Sequence, residues 1–86
     1  MKRVVQPEGE IFGERLRELR QKAGMSQEAV AQASGLTKAY ISNMETGIKV
    51  PSLTTILRLA VSLGCRVTAL TSVFDKVDDL AGLLPK

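Results

Sequence analysis

Hydrophobic positions recur at helical spacing in five separate stretches of this chain, and each stretch is bounded by residues that start or stop helices. From about Gly9 to Ala23, the side chains of Phe12, Leu16, Leu19 and Ala23 fall on one continuous stripe. Glu10 and Glu14 lie in the first turns and Arg20 and Lys22 in the last, which complements the helix dipole, and Gly24 follows as a stop. Ser26 then caps a second helix opened by Gln27, with Val30 and Ala31 inward. Thr37 caps a third, with Ile41 and Met44 inward, that stops at Gly47. After a short connector ending at Pro51, Ser52 caps a fourth helix, predicted to turn Leu53, Ile56, Leu57, Ala60 and Leu63 inward and to stop at Gly64. A fifth, near Thr68 to Phe74, presents Leu70, Val73 and Phe74. The predicted fold is an all-α five-helix bundle over residues 9–74, with an arm at 1–8 and a tail at 75–86.

The second and third stretches carry the most specific signal. Ala31 is small where a second helix must cross closely, Gly35 supplies a turn residue free to take a positive φ, and Leu36 plugs the corner. Two helices joined by a short glycine-containing turn form the helix-turn-helix, whose second helix reads the major groove of double-stranded DNA. Opposite the inward Ile41 and Met44 lie Ala39, Ser42, Asn43 and Thr46, flanked by Lys38 and Tyr40. That outer face offers hydrogen-bonding groups and no carboxylate, as an approach to phosphates and base edges requires. Lys38 opposes the helix dipole from the first turn, at a cost of about 0.3–1 kcal/mol. A contact with guanine or phosphate would explain it, and a solvated lysine is the plainer reading. Asn43 can bond adenine and Ala39 can touch a thymine methyl. Tyr40 either reaches DNA with its hydroxyl or only packs, and Ser42 either meets a phosphate or is merely solvated. Gln27 offers an amide beside the free N–H groups of the second helix, or is a plain surface glutamine. Thr37 caps its helix and has a hydroxyl within reach of phosphate; Lys49, in the connector, is as readily solvated as bound to the backbone.

Composition narrows the class. Eighty-six residues make one domain with a marginal core. With one Tyr, two Phe and no Trp, that core is aliphatic. Ten Lys/Arg against six Glu before residue 67, and two Lys against three Asp after it, put the basic excess on the helix-turn-helix portion, which suits a polyanion. There is no histidine, and the lone Cys65 lacks a partner for a disulfide or a nucleophile pair, so neither an enzyme nor a metal or cofactor site is expected. A reducing, cytoplasmic location is expected, because no apolar run reaches the roughly 18 residues of a membrane span and no signal peptide is recognisable.

Beyond these patterns, FGERLRELRQKAGMSQEAVAQASGL, YISNMETG and PSLTTILRLAVSLG, within Phe12 to Phe74, resemble the Cro and phage-repressor family of regulators, also called the xenobiotic-response-element type. The Tyr40-Ile41-Ser42 stretch is most similar to restriction-modification controllers and small stand-alone repressors. The resemblance implies a lambda-repressor-like bundle and a symmetric dimer on a palindromic operator. It also implies a phosphate-clamping task for Gln27 and an ion pair between Arg20 and Glu45. The family commonly places a polar side chain where Ala39 stands.

For the dimer, the surplus of apolar residues at Leu70, Val73, Phe74, Val77 and Leu80 is the expected interface. The tail, with Leu83 and Leu84 beyond, either folds on its own domain or packs on a second subunit or another protein. Two further functions compete: an antitoxin holding a toxin through this tail, and a protein-interaction adaptor that kept the fold without binding DNA. The arm at 1–8 is either a frayed terminus or a DNA-touching arm.

Overall fold

The computed structural model describes residues 6–76 together with Leu83. Five helices follow in order: α1 (Pro7–Lys22), α2 (Gln27–Ser34), α3 (Lys38–Glu45), α4 (Leu53–Leu63) and α5 (Val67–Thr71). A 3-10 turn at Ser72–Lys76 continues α5. No strand occurs among the described residues, so the architecture is all-α.

Local chemistry sets the boundaries. The hydroxyls of Ser26, Thr37 and Ser52 accept from the backbone N–H groups of Ala29, Tyr40 and Thr55 at 3.0, 3.1 and 3.1 Å. Each satisfies one donor that a helix start leaves without a partner. Gly35 closes α2 at φ 72°, in the left-handed region that bends the chain into α3, and the Leu36 N–H returns to the Ala31 carbonyl at 3.0 Å. α1 begins two residues earlier than the periodicity predicts, because Pro7 at its first position lacks only an N–H that would have no partner there anyway.

Every helix contributes to one core: Phe12 and Leu16, Val30 and Ala31, Ile41 and Met44, Leu59 and Ala60, and Leu70. Leu19, Leu36 and Phe74 pack partly buried against it. Ala23, expected on the inward stripe of α1, is its exposed C-cap.

The structure corrects the inward face of α4. Leu59 and Ala60 are buried with Thr55, Ile56 and Leu63 are partly buried, and Leu53 and Leu57 face outward at 71% and 45% exposure. The sequence LTTILRLAVSL is apolar nearly all round, so two stripes satisfy the helical period and spacing cannot choose between them. The observed choice seats Leu59 in the core.

The fifth element also differs. Leu70 is fully buried, so it is not the spare surface expected of a dimer interface, whereas Phe74 packs on the same core and is only half-buried. A bundle of short helices with few aromatics needs Leu70 to close its end. Val73 is half-buried, and Val77 and Leu80 lie outside the described residues.

Candidate nucleic-acid interface

α3 is held from behind by two close approaches. Gly9 and Gly13 lie one helical turn apart on α1 and let the end of α3 come against its backbone. A Cβ on Gly13 would stand 2.3 Å from the Met44 carbonyl oxygen and 2.7 Å from that of Glu45. A Cβ on Gly9 would stand 2.8 Å from the Gly47 carbonyl oxygen. The pair was legible as Gly-x-x-x-Gly inside an otherwise helical stretch, where an isolated glycine costs helix stability unless packing needs it. Reading α1 by its apolar stripe alone passes over it.

A polar lock joins the same helices. Arg20 donates through Nε and Nη2 to the two Glu45 carboxylate oxygens at 2.6 and 3.0 Å, and through Nη1 to the Met25 carbonyl at 2.9 Å. The side chains are only 13% and 4% exposed. The hydrogen bond to Glu45 raises the Arg20 pKa above its already high ordinary value, against the opposing effect of burial. The guanidinium is therefore charged at any working pH and links α1, the turn before α2, and α3.

Gln27 joins this lock. Its Nε2 donates to Glu45 at 3.2 Å, so the side chain expected to meet a phosphate is anchored to the carboxylate behind it. One amide N–H and the oxygen remain, at the N-terminus of α2, where backbone N–H groups also lack helical partners.

The expected reading face divides into two halves. Lys38 and Ala39 are exposed in the first turn of α3, and Lys38 makes no ion pair among the described residues. The Thr37 oxygen accepts from Tyr40, which leaves its own O–H free to donate outward. Ser42 and Asn43 are half-buried along the same edge. These residues and the start of α2 form a contiguous rim of donors and one free cation.

The other half is less suited to DNA. Thr46 is the C-cap rather than a residue of the reading face, and its hydroxyl donates back to the Ser42 and Asn43 carbonyls at 3.2 and 3.3 Å. It borders a recess lined by Glu10 and Glu14, whose carboxylates repel phosphate, and by the Arg20-paired Glu45. Tyr40 is half-buried, packs against the core and donates to Thr55 Oγ1 at 3.5 Å. Lys49 is exposed in the connector, with its N–H bonded to the Asn43 carbonyl at 3.1 Å.

Among the described residues no cluster of His, Cys, Asp or Glu could hold a metal ion, and no single helix is long and apolar enough to cross a membrane.

Residues 11–72 match a helix-turn-helix domain family. The HTH-type transcriptional regulator DdrOP3 of Deinococcus deserti is 40% identical over 74 residues, which is 85% of this chain and 57% of that protein. PuuR, an HTH-type transcriptional regulator of Escherichia coli, is 36% identical over 72 residues, 84% of this chain and 39% of its own length. The chain thus spans between about two fifths and three fifths of these two relatives. Among solved structures, the restriction-modification controller protein C.AhdI from Aeromonas hydrophila superposes with a TM-score of 0.73 at 42% identity, covering 76% of this chain and 98% of that one. The clp gene regulator ClgR from C. glutamicum gives a TM-score of 0.68 at 27% identity, over 90% and 92% of the two chains. The match over most of the chain, the shared five-helix architecture and the helix-turn-helix geometry agree: this chain belongs to the xenobiotic-response-element family of DNA-binding helix-turn-helix transcriptional regulators.

Proposed function

We propose that the protein is a homodimeric repressor that reads a palindromic operator through the N-terminal half of α3. The observation that carries this reading is Lys38, an exposed, unpaired cation among the described residues, in the first helical turn, where stability alone favours an acid. Its position on the rim with Thr37, Ala39, Ser42 and Asn43 matches what a major-groove approach needs. One such module contacts limited DNA surface, and two-fold pairing doubles the contacts and sets two reading helices about 34–36 Å apart, one turn of DNA. Occupying an operator that overlaps a promoter is sufficient for repression by a module of this size.

Selection of bound sites from random duplexes, with stoichiometry measured on the selected site, tests the reading. A palindrome bound by two chains is expected; an asymmetric site bound by one chain overturns it. On the selected operator, Lys38→Ala and Asn43→Ala are each expected to weaken binding by about 1–3 kcal/mol, as base-reading side chains do. Their melting curves should overlay wild type. Wild-type affinity in both variants would move the reading face elsewhere.

Gln27→Ala should behave differently. As a backbone clamp it positions without reading, so affinity should fall by a similar factor on operator and unrelated duplex. A loss confined to one operator base pair would make Gln27 a reader instead. Because Gln27 also bonds Glu45, a small drop in melting temperature should accompany the uniform loss.

A further inference from the structure

A pocket of about 300 Å³ opens between the first turns of α1, the connector before α4 and the 3-10 turn after α5. Both phenylalanines of the chain line it: Phe12 is 2% exposed and lies deepest, and half-buried Phe74 is one wall with Ile56. Val50 and Leu83, at 40% and 55% exposure, stand at the rim. Glu8 is the one charged side chain among the lining residues. Its Oε2 is enclosed and accepts no hydrogen bond among the described residues. Nearly all buried polar atoms in folded proteins have a partner, so an enclosed carboxylate oxygen without a donor calls for one. The volume is at the lower end for small-molecule pockets, which combine apolar walls with a few placed polar groups.

We infer that this pocket binds a small organic cation, an ammonium group carried on a single aryl or alkyl body. The ammonium donates to Glu8, and the body fills the space beside Phe12, Ile56 and Phe74. Other occupants fit less well. A water molecule needs about two to four polar partners, and the walls beside Glu8 are almost wholly apolar. A metal ion needs several oxygen ligands, and no second acid lines the pocket. An anion would be repelled by Glu8, and a purely apolar molecule would leave its enclosed oxygen without a donor. Against a neutral hydroxyl, the ammonium gains twice. Its charge-assisted hydrogen bond is roughly twice as strong, and a ring face that it meets attracts a cation.

Titrating the full isotope-labelled chain with phenethylamine, phenethyl alcohol and hydrocinnamate, followed by its amide NMR signals, tests the assignment. The three probes share a phenylethyl body and differ in the head group. The amine is expected to saturate in the millimolar range or below, as a ligand of about nine non-hydrogen atoms can. Its shifts should centre on Glu8, Phe12, Val50 and Phe74, and it should bind about tenfold more tightly than the alcohol or the carboxylate. Glu8→Gln keeps the shape and removes the charge, so the amine should then bind within about twofold of the alcohol. Val50→Trp, at the exposed rim, should weaken the amine and the alcohol alike by obstructing the mouth. Circular dichroism should show both variants folded. If neither phenethylamine nor cyclohexylamine nor hexylamine produces saturable shifts at these signals, the site is overturned. Equal affinity for the three head groups, or a preference for the amine that survives Glu8→Gln, would overturn the recognition of a cation by Glu8. A wild-type chain that binds no amine, beside a Lys2→Gln/Arg3→Gln chain that does, would overturn the free ligand in favour of the chain's own basic arm.

Discussion

Replacing Gly13 by alanine is expected to destabilise the domain by about 3 kcal/mol or more, the upper end of what overpacking costs. In a solvated helix the same change would stabilise by up to about 1 kcal/mol, since glycine is the poorer helix former. Here the added carbon meets the Met44 and Glu45 carbonyl oxygens at 2.3 and 2.7 Å. Those are backbone atoms of a short helix whose Ile41 and Met44 fill the core, so neither rotates aside. α1 and α3 must separate, and the contacts of Phe12 and Leu16 loosen with them. For a domain of this size each 1 kcal/mol lowers the melting temperature by roughly 4–8 °C, so the transition should fall by well over ten degrees. Thermal unfolding followed by circular dichroism measures it. A Gly13→Ala variant as stable as wild type would mean that the α1–α3 approach is looser than the structure has it. Gly24→Ala is a useful contrast: nothing lies near its Cβ, and only the positive φ opposes the change.

Arg20→Ala should follow, at about 2–3 kcal/mol, because removing one partner of a largely enclosed, charge-assisted pair leaves the other charge poorly compensated. Glu45 would keep only the Gln27 amide, and the Met25 carbonyl would lose its donor. Glu45→Ala should be comparably damaging, whereas the double variant should cost clearly less than the sum. A coupling of about 1–3 kcal/mol in the double-mutant cycle is expected for groups in direct contact. Strict additivity would show that the pair does not form in solution. Arg20→Lys should not rescue, since a single ammonium cannot span both carboxylate oxygens and the Met25 carbonyl at once.

How much was legible in the sequence depended on how local each decision is. The caps at Ser26, Thr37 and Ser52 are settled within three residues of chain, and the structure forms each of them. Gly35 and the inward pairs of α2 and α3 were equally readable, because those helices have one apolar side and one polar side. α4 was not, because two of its stripes are apolar and only the placement of its neighbours decides between Leu59 and Leu57. Leu70 misled in a related way: it reads as surplus until the core is seen to need it. Thr46 was placed on the reading face by extending a helical wheel one residue past the end of the helix. For Tyr40 the sequence left two roles open, and the reach to Thr55 depends on a contact fifteen residues away. Gly13 was readable in principle, since a glycine inside a helical stretch asks what approaches it.

If α3 reads DNA as proposed, its division into a held half and a free half bears on how site preference changes over time. Met44, Glu45 and the backbone against Gly13 tolerate almost nothing, while Lys38 and Ala39, one turn away, are exposed and bonded to no other side chain among the described residues. Most substitutions at such surface positions shift stability by less than about 0.5 kcal/mol. Variation there can therefore accumulate in folded protein and, on the proposed reading, be sorted by DNA. A library randomised at positions 38 and 39 should remain largely folded, and its members should differ in the sites they select far more than in their melting temperatures.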